Sequence, residues 1–210
     1  MCSTFLIGQD SLPERTVQKN VITSKRDPAI RIKLPEDVKY VGAERWVLYG
    51  IADCELHAFV EADADKNVQR IYWVQFEGYL PSRPDLHHTY DSPKHTTIGG
   101  LDFYVDSWVH AKDAKTQPGS DREHIQAMIA AKGYRLPEGT MDVRLVHLLD
   151  AAKRKELMII YSENLKPTGF TAAELSEGGK DYDRWPALAD KLLEDAEKRI
   201  SISPGEGVRP

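Results

Sequence analysis

The stretch Ile71-Tyr72-Trp73-Val74-Gln75-Phe76-Glu77-Gly78-Tyr79 decides the fold, because its side chains alternate in character along the chain. Successive side chains of a strand point to opposite sides of a sheet, so Tyr72, Val74 and Phe76 share one face. An apolar face of this kind indicates packing on a core. The opposite face mixes rings with polar groups, which indicates contact with a ligand, a partner or a covering segment. It carries Ile71, Trp73, Gln75, Glu77 and Tyr79.

Further strands are expected on both sides of this stretch, and short turn-rich linkers join several of them. The linker 62–67 predicts a hairpin between segments 54–61 and 68–80, and the linker 150–154 predicts a second hairpin. No helical crossover separates these strands, so their pairing is expected to be antiparallel. The other predicted strands are 30–34, 45–50, 101–110, 141–149 and 155–163.

Three helices are expected, each opened by a residue that can cap a helix N-terminus. Ser120 with Glu123, and Thr171 with Glu174, have the spacing of a capping box, in which each side chain bonds the other residue's backbone N–H. Asp183 precedes a longer C-terminal helix with apolar residues at helical spacing. The order of elements predicts an α+β fold. Its curved, mainly antiparallel sheet has about six or seven strands, and the helices, including the C-terminal one, pack mainly on one face.

The chain is long enough to bury a substantial core, and its composition is that of a folded protein. Of its 210 residues, 41% are hydrophobic and 29% are charged. We expect an N-terminal arm or irregular segment over residues 1–29, a single α+β domain over 30–202, and a flexible tail over 203–210.

Several functional classes are not favoured by the composition. The formal net charge of -5, without a basic patch, does not favour nucleic acid as a partner. No apolar stretch approaches the roughly 18 residues that span a membrane, and the first residues lack the features of a signal peptide. The two cysteines, Cys2 and Cys54, are too few for a disulfide framework. A cytoplasmic location is therefore expected.

The mixed face of the sheet is the candidate ligand-binding surface. If the aliphatic parity of each strand points at the helices, the core contains Leu56, Val60, Val74 and Phe76. A solvated face rarely carries several Trp and Tyr side chains, and a second apolar core would leave acids such as Glu77 without partners. The candidate ligand-binding residues are Trp73, Gln75, Glu77, Tyr79, Tyr104, Asp106, Trp108 and His57.

Three functions, and one purely structural interpretation, are compatible with such a face. The leading interpretation is a cavity that binds a small, partly apolar molecule, with no cofactor. The second is an acid–base hydrolase or isomerase that uses Asp or Glu and His in that cavity, although no residue is assigned to catalysis. The third is a non-catalytic module whose aromatic face forms a homodimer or partner interface. Alternatively, the N-terminal arm and the long loops cover the face internally.

The segment 81–100 is predicted to be a long polar loop that contains His87, His88 and His95. The spacing of these histidines matches no common zinc motif, so no metal site is expected. The pair Gly99-Gly100 is a candidate hinge for closure over the aromatic face.

Overall fold

The computed structural model describes residues 12–205, which form eleven strands and three α-helices. The strands are β1 (Thr16–Gln18), β2 (Val21–Lys25), β3 (Ala29–Lys33), β4 (Lys39–Leu48), β5 (Ala52–Ala62), β6 (Val68–Tyr79), β7 (Lys94–Ile98), β8 (Leu101–Ala111), β9 (Gly139–Leu148), β10 (Lys155–Asn164) and β11 (Ser201–Pro204). The helices are α1 (Asp121–Ala131), α2 (Ala172–Leu175) and α3 (Trp185–Arg199). No helix in this described part combines the length and the apolar character needed to cross a membrane.

The main sheet has seven strands in the order β4-β5-β6-β10-β9-β8-β7, and every neighbouring pair is antiparallel. Tight turns join β4 to β5, β5 to β6, β7 to β8 and β9 to β10, so local hairpins account for most of the pairing. The two predicted hairpins are confirmed, and the pairing of β6 with β10 unites the two halves. A second, four-stranded antiparallel sheet has the order β1-β2-β3-β11. The α+β class is confirmed.

One face of the main sheet, which we call the Val74 face, packs against two helices and the small sheet. The register places Val74 opposite Ile159, and Ile159 opposite Leu145, in one continuous apolar row. Leu192 of α3 and Ile32 of β3 belong to the same buried cluster. Burial of each such side chain contributes roughly 1.5–3 kcal/mol, so this face holds much of the core.

The opposite face, which we call the Trp73 face, has a separate apolar cluster under helix α1. Ile125 and Ile129 of α1 pack there against Trp73 and Ile160. These two isoleucines are one helical turn apart and therefore share one side of the helix. Two of the three helices thus cover the Val74 face and one covers the Trp73 face.

The expected orientation of β5 is wrong. The register pairs His57 with Val74, Leu56 with Gln75, and Val60 with Ile71. His57 therefore lies on the Val74 face, whereas Leu56 and Val60 lie on the Trp73 face. The physical reason is that β5 is buried on both sides, so hydrophobic alternation cannot say which parity faces which layer. An irregularity after Glu61 also shifts the register by one residue, which exchanges the two faces along a strand.

Part of the expected N-terminal arm is regular structure. Residues 16–25 form the β1–β2 hairpin, and Ile22 and Ser24 of β2 are almost completely buried. Strand β2 is short, and its two adjacent apolar residues are followed by Thr, Ser and Lys. The sequence therefore shows no clear strand pattern there. In the expected tail, Ser203 and Pro204 pair with β3. The remainder of these two segments, residues 1–11 and 206–210, lies outside the described residues.

The predicted helices are present, with two differences in how they begin. Thr171 and Glu174 form the expected capping box at α2. At α1 the Ser120 side chain accepts from the backbone N–H of Glu123, but the Glu123 carboxylate accepts from the N–H of Gly119 instead of that of Ser120, so the expected box is only half formed. Asp183 does not cap α3. It lies within a 3-10 turn (Tyr182–Arg184), and α3 starts directly after that turn.

Candidate functional site

The Trp73 face brings together seven of the eight candidate residues, and the eighth, His57, lies on the other face. One row of side chains crosses this face from Trp73 through Ile160 and Arg144 to Asp106. The seven do not form one continuous site. They divide among a buried acidic group beneath the segment after β6, a pocket beneath α1 whose lining includes Trp73, and a third group on β8 that contains Tyr104, Asp106 and Trp108.

A chain of hydrogen bonds runs along one side of β6. The Nε1 of Trp73 donates to Oε1 of Gln75 at 2.9 Å, and Nε2 of Gln75 donates to Oε2 of Glu77 at 3.1 Å. The Sγ of Cys54, opposite Glu77 on β5, donates to the same carboxylate oxygen at 3.4 Å. Three predicted ligand-binding residues therefore satisfy one another rather than facing an open space.

Three acids and one histidine meet at the Glu77 end of this chain. Glu156 is directly opposite Glu77, and its Oε2 lies 2.9 Å from Nδ1 of His88. The negative charge of Asp121 is near enough to disfavour ionisation of Glu77. Burial, together with the charges of Glu156 and Asp121, raises the pKa of Glu77 to about 7. Burial lowers the pKa of His88, but its hydrogen bond to Glu156 and the charges of Glu156 and Glu77 together outweigh that effect, and the net shift is upward.

The segment after β6 covers this acidic group. His88 is 6% exposed and stacks on Tyr79 with ring centroids 4.5 Å apart, while its backbone N–H bonds the carbonyl of Lys153. The hydroxyl of Tyr90 donates to Glu156 at 2.7 Å. The guanidinium of Arg154 bonds carbonyls of the same segment, at 2.7 Å for Leu86. This part of the predicted loop is therefore tied to the sheet by side-chain contacts.

The rest of the predicted loop differs from expectation. Its last third is strand β7, and Gly99-Gly100 form the two-residue turn to β8 rather than a hinge beside the aromatic face. His87 is exposed, and His95 packs on Tyr104 with centroids 4.7 Å apart. Within residues 12–205, no three His, Cys, Asp or Glu side chains come together in a way that could hold a metal ion.

Tyr104, Asp106 and Trp108 lie on β8, beyond the acidic group. Asp106 accepts from the Arg144 guanidinium at 2.7 Å and from the Ser92 hydroxyl at 2.8 Å. The Arg144 guanidinium also lies 5.9 Å from the centre of the Trp108 ring. This group is a paired surface network that joins the covering segment to the sheet.

A small pocket lies where α1 crosses the Trp73 face; its cavity volume is about 50 Å³, and its mouth is open to solvent. One side is apolar, and four of its residues are buried isoleucines. The other side is polar and includes Gln126, Lys112 and Thr140 besides the groups described below. The apolar wall consists of Ile71, Trp73, Ile125, Ile129, Leu136 and Ile160.

The polar end of the pocket is formed by Asp142, His110 and Arg122. Asp142 is 3% exposed, and burial raises its pKa although the Thr140 hydroxyl donates to its carboxylate at 3.0 Å. The Nε2 of His110 is buried and has no hydrogen-bond partner among the described residues. Burial, followed by the charge of Arg122, lowers the pKa of His110, which keeps this imidazole neutral near neutral pH.

Sequence reasoning missed most of this pocket. Arg122 is on the side of α1 that carries Ile125 and Ile129, because positions i, i+3 and i+7 of a helix share one side. A cation on an apolar stripe was therefore a signal available in the sequence. The position of Asp142 beside Arg122 was not, since it depends on how α1 crosses the sheet.

His57 belongs to a different buried group, on the Val74 face. Its Nε2 lies 2.9 Å from Oε1 of Glu55, whose carboxylate also accepts from the backbone N–H groups of Glu14 and Arg15 at 2.8 Å each. The Arg15 guanidinium completes the group at 3.1 Å. Burial raises the pKa of Glu55, but these bonds outweigh it and lower the pKa to about 2. This group anchors the segment before β1 to the sheet.

Comparison of the chain with protein-family models, with curated proteins and with solved structures finds no match in any of the three. The function must therefore be inferred from the geometry of the Trp73 face.

Proposed function

We propose that the protein binds a small, partly apolar molecule in the pocket between α1 and the Trp73 face. The observation that carries this proposal is the division of the pocket into an apolar wall and a compact polar end. Ligand sites typically combine a mostly apolar lining with a few polar groups that orient the ligand. Trp73, an expected binding residue, is part of the wall, and Trp108, another, lies directly opposite Asp142 on the neighbouring strand.

The cavity itself is small, about 50 Å³, so it encloses only a few atoms of a ligand, and the rest of an apolar body would lie along its open mouth. Each buried methylene contributes about 0.8 kcal/mol, so enclosing two or three gives about 2 kcal/mol before the cost of association. A single polar group would sit at the end formed by Asp142, His110 and Arg122. We therefore expect weak to moderate affinity for the simplest compounds of this shape.

A panel of amphipathic molecules, each with one polar group on a short alkyl or phenyl body, tests the proposal by thermal unfolding. A ligand at a hundred times its dissociation constant stabilises the folded state by about 2.7 kcal/mol. Gln126→Trp places a bulky side chain at the pocket and is expected to abolish the shift. Ala127→Trp is the matched control, because Ala127 is on the exposed side of the same helix.

Equal shifts in both variants would place the binding elsewhere, and no shift with any compound in the wild-type chain would contradict the proposal. The control must retain the wild-type response for the comparison to hold.

The acid–base alternative has one observation in its favour, the 2.9 Å pair of His88 and Glu156 next to the Glu77 carboxyl. Both members of the pair are almost fully buried beneath the covering segment, so a substrate would first have to displace it. An interface on the Trp73 face would have to use the part of the sheet surface that α1 and this segment leave uncovered. The α1 pocket is open to a ligand without displacement of either element, which is why we favour ligand binding.

A further inference from the structure

We propose that the ligand of the α1 pocket carries a carboxylate, which Arg122 and His110 hold at the polar end. This inference rests on the proposed function, because it names the chemical class of the molecule bound at the same site. It follows from an excess of hydrogen-bond donors at that end of the pocket.

Arg122 is the main source of those donors. It lies in the first turn of α1, lines the pocket and is half-buried. Its guanidinium makes no hydrogen bond and no ion pair with any residue between 12 and 205, and its one attractive interaction is the longer-range charge of Asp142. A guanidinium has five N–H donors and no acceptor, and such groups are rarely withdrawn from water without a partner. A ligand acceptor would satisfy it.

His110 supplies a second donor at the same end. Its Nε2 is buried without a partner, and the neutral ring can carry a proton on that nitrogen. A nearby cation, Lys112, is already engaged, since its Nζ lies 2.7 Å from Oε1 of Glu138. Two groups thus face the pocket without a partner among residues 12–205, the half-buried guanidinium and the buried imidazole nitrogen, and a carboxylate can accept from both.

Asp142 is the one buried anion at this end, and it does not take up these donors. Its carboxylate accepts instead from the Thr140 hydroxyl at 3.0 Å, and Ser162 and Trp108 lie directly opposite it on the neighbouring strands. A bound carboxylate would therefore find Arg122 free to donate two parallel N–H bonds, which is the strongest common arrangement for this pair. A phosphate dianion would bring more negative charge than one guanidinium can balance beside Asp142. This difference favours a monocarboxylate with an apolar body along Ile125, Ile129 and Ile160.

Calorimetric titration of the full chain with octanoate, octanol and octylamine near neutral pH tests the inference, because the three molecules share one alkyl body. We expect octanoate to bind at least about tenfold more tightly than octanol, and octylamine to bind most weakly, since charge-assisted bonds to Arg are about twice as strong as neutral ones. In Arg122→Gln, octanoate affinity should fall to that of octanol, whose own affinity should not change. Arg184→Gln, at an exposed site far along the chain, is the matched control.

The outcomes separate the two proposals. Octanol binding as tightly as octanoate would overturn the carboxylate inference and leave the pocket as a binding site. Failure of all three to bind would overturn both. The comparison of octanoate with octanol in the wild-type chain decides the matter even if Arg122→Gln does not fold.

Discussion

Glu55 and Glu77 lie on neighbouring strands and on opposite faces of the sheet, and their surroundings shift their pKa values in opposite directions. Burial alone raises the pKa of each. Around Glu55, bonds from His57 and from two backbone N–H groups outweigh burial, so the carboxylate stays ionised. Around Glu77, the acids Glu156 and Asp121 add to burial. One residue type is thus a fixed anion on one face and a group that titrates near neutrality on the other.

At the residue scale, Glu77→Gln is expected to reduce the pH dependence of stability. The pKa of Glu77 is raised from 4.5 to about 7, so the folded state holds a proton that the unfolded chain has lost over that interval. Its stabilising contribution is therefore complete below about 4.5 and is lost as the pH rises through about 7. Gln resembles the protonated acid. At alkaline pH the free energy of unfolding of the variant should exceed that of the wild type by about 2 kcal/mol. This is less than the full pKa shift implies, because neighbouring groups titrate together with Glu77.

Urea unfolding at a series of pH values between acidic and mildly alkaline measures this effect. Glu177→Gln is the control, because Glu177 is an exposed acid on the opposite side of the core. Parallel stability curves for the wild type and Glu77→Gln would show that Glu77 titrates normally and would contradict the expectation.

At the element scale, the β7–β8 turn meets the last strand of the small sheet. Gly99 has φ +60°, and a Cβ on it would lie 2.2 Å from the carbonyl oxygen of Ile202 in β11. Gly100 also has a positive φ, +82°, but a Cβ there would meet nothing within 4 Å. The first glycine is required by a close approach of two backbones, and the second by backbone conformation alone.

Gly99→Ala is therefore expected to destabilise the protein by at least about 2 kcal/mol more than Gly100→Ala, which should cost about 1 kcal/mol for its left-handed backbone. The two variants add the same methyl group to adjacent residues, so each serves as the reference for the other. Chemical unfolding followed by far-UV circular dichroism gives the comparison. Equal losses would mean that β11 moves away from the turn without cost.

Helix α1 is the element that assembles the proposed ligand site. Ile125 and Ile129 on its inner side complete the apolar wall, and Arg122 on the same side brings the unpaired guanidinium. The sheet supplies the remaining groups, Asp142 from β9 and His110 from β8. Binding is therefore expected to depend on how α1 is seated as well as on the identity of its side chains.

At the scale of the whole molecule, the two apolar clusters lie on opposite sides of the same strands. Val74 of β6 belongs to one cluster and Trp73 to the other, and Ile159 and Ile160 of β10 divide in the same way. Loss of β6 or β10 would therefore open both clusters at once. The two core layers of the molecule therefore depend on the same two strands, β6 and β10.

Unfolding is consequently expected to be a single cooperative transition. In a variant with the other three tryptophans replaced by Phe, Trp73 fluorescence reports on one face, and far-UV circular dichroism reports on the whole sheet. Their urea transitions should coincide. The most slowly exchanging amides should lie in β6 and β10, the central strands. Separate transitions for the two signals would indicate that the covering layers unfold independently of the sheet.

The sequence alone was sufficient for elements whose pattern is local. Alternation in β6 predicted its two faces, turn chemistry predicted the hairpins around residues 62–67 and 150–154, and side-chain spacing predicted the caps at Ser120 and Thr171. These features depend on residues within one strand or one helical turn, and nearby residues are sufficient to specify them.

The tertiary structure alone decided the position of His57, the strands in the N-terminal segment and the location of the pocket. In β5 both parities are buried, so only the register with β6 assigns His57 to the Val74 face. The pocket requires Arg122 of α1 to reach the part of the sheet that carries Asp142 and His110. That meeting is set by packing between elements distant in the chain, about which alternation within a single element carries no information.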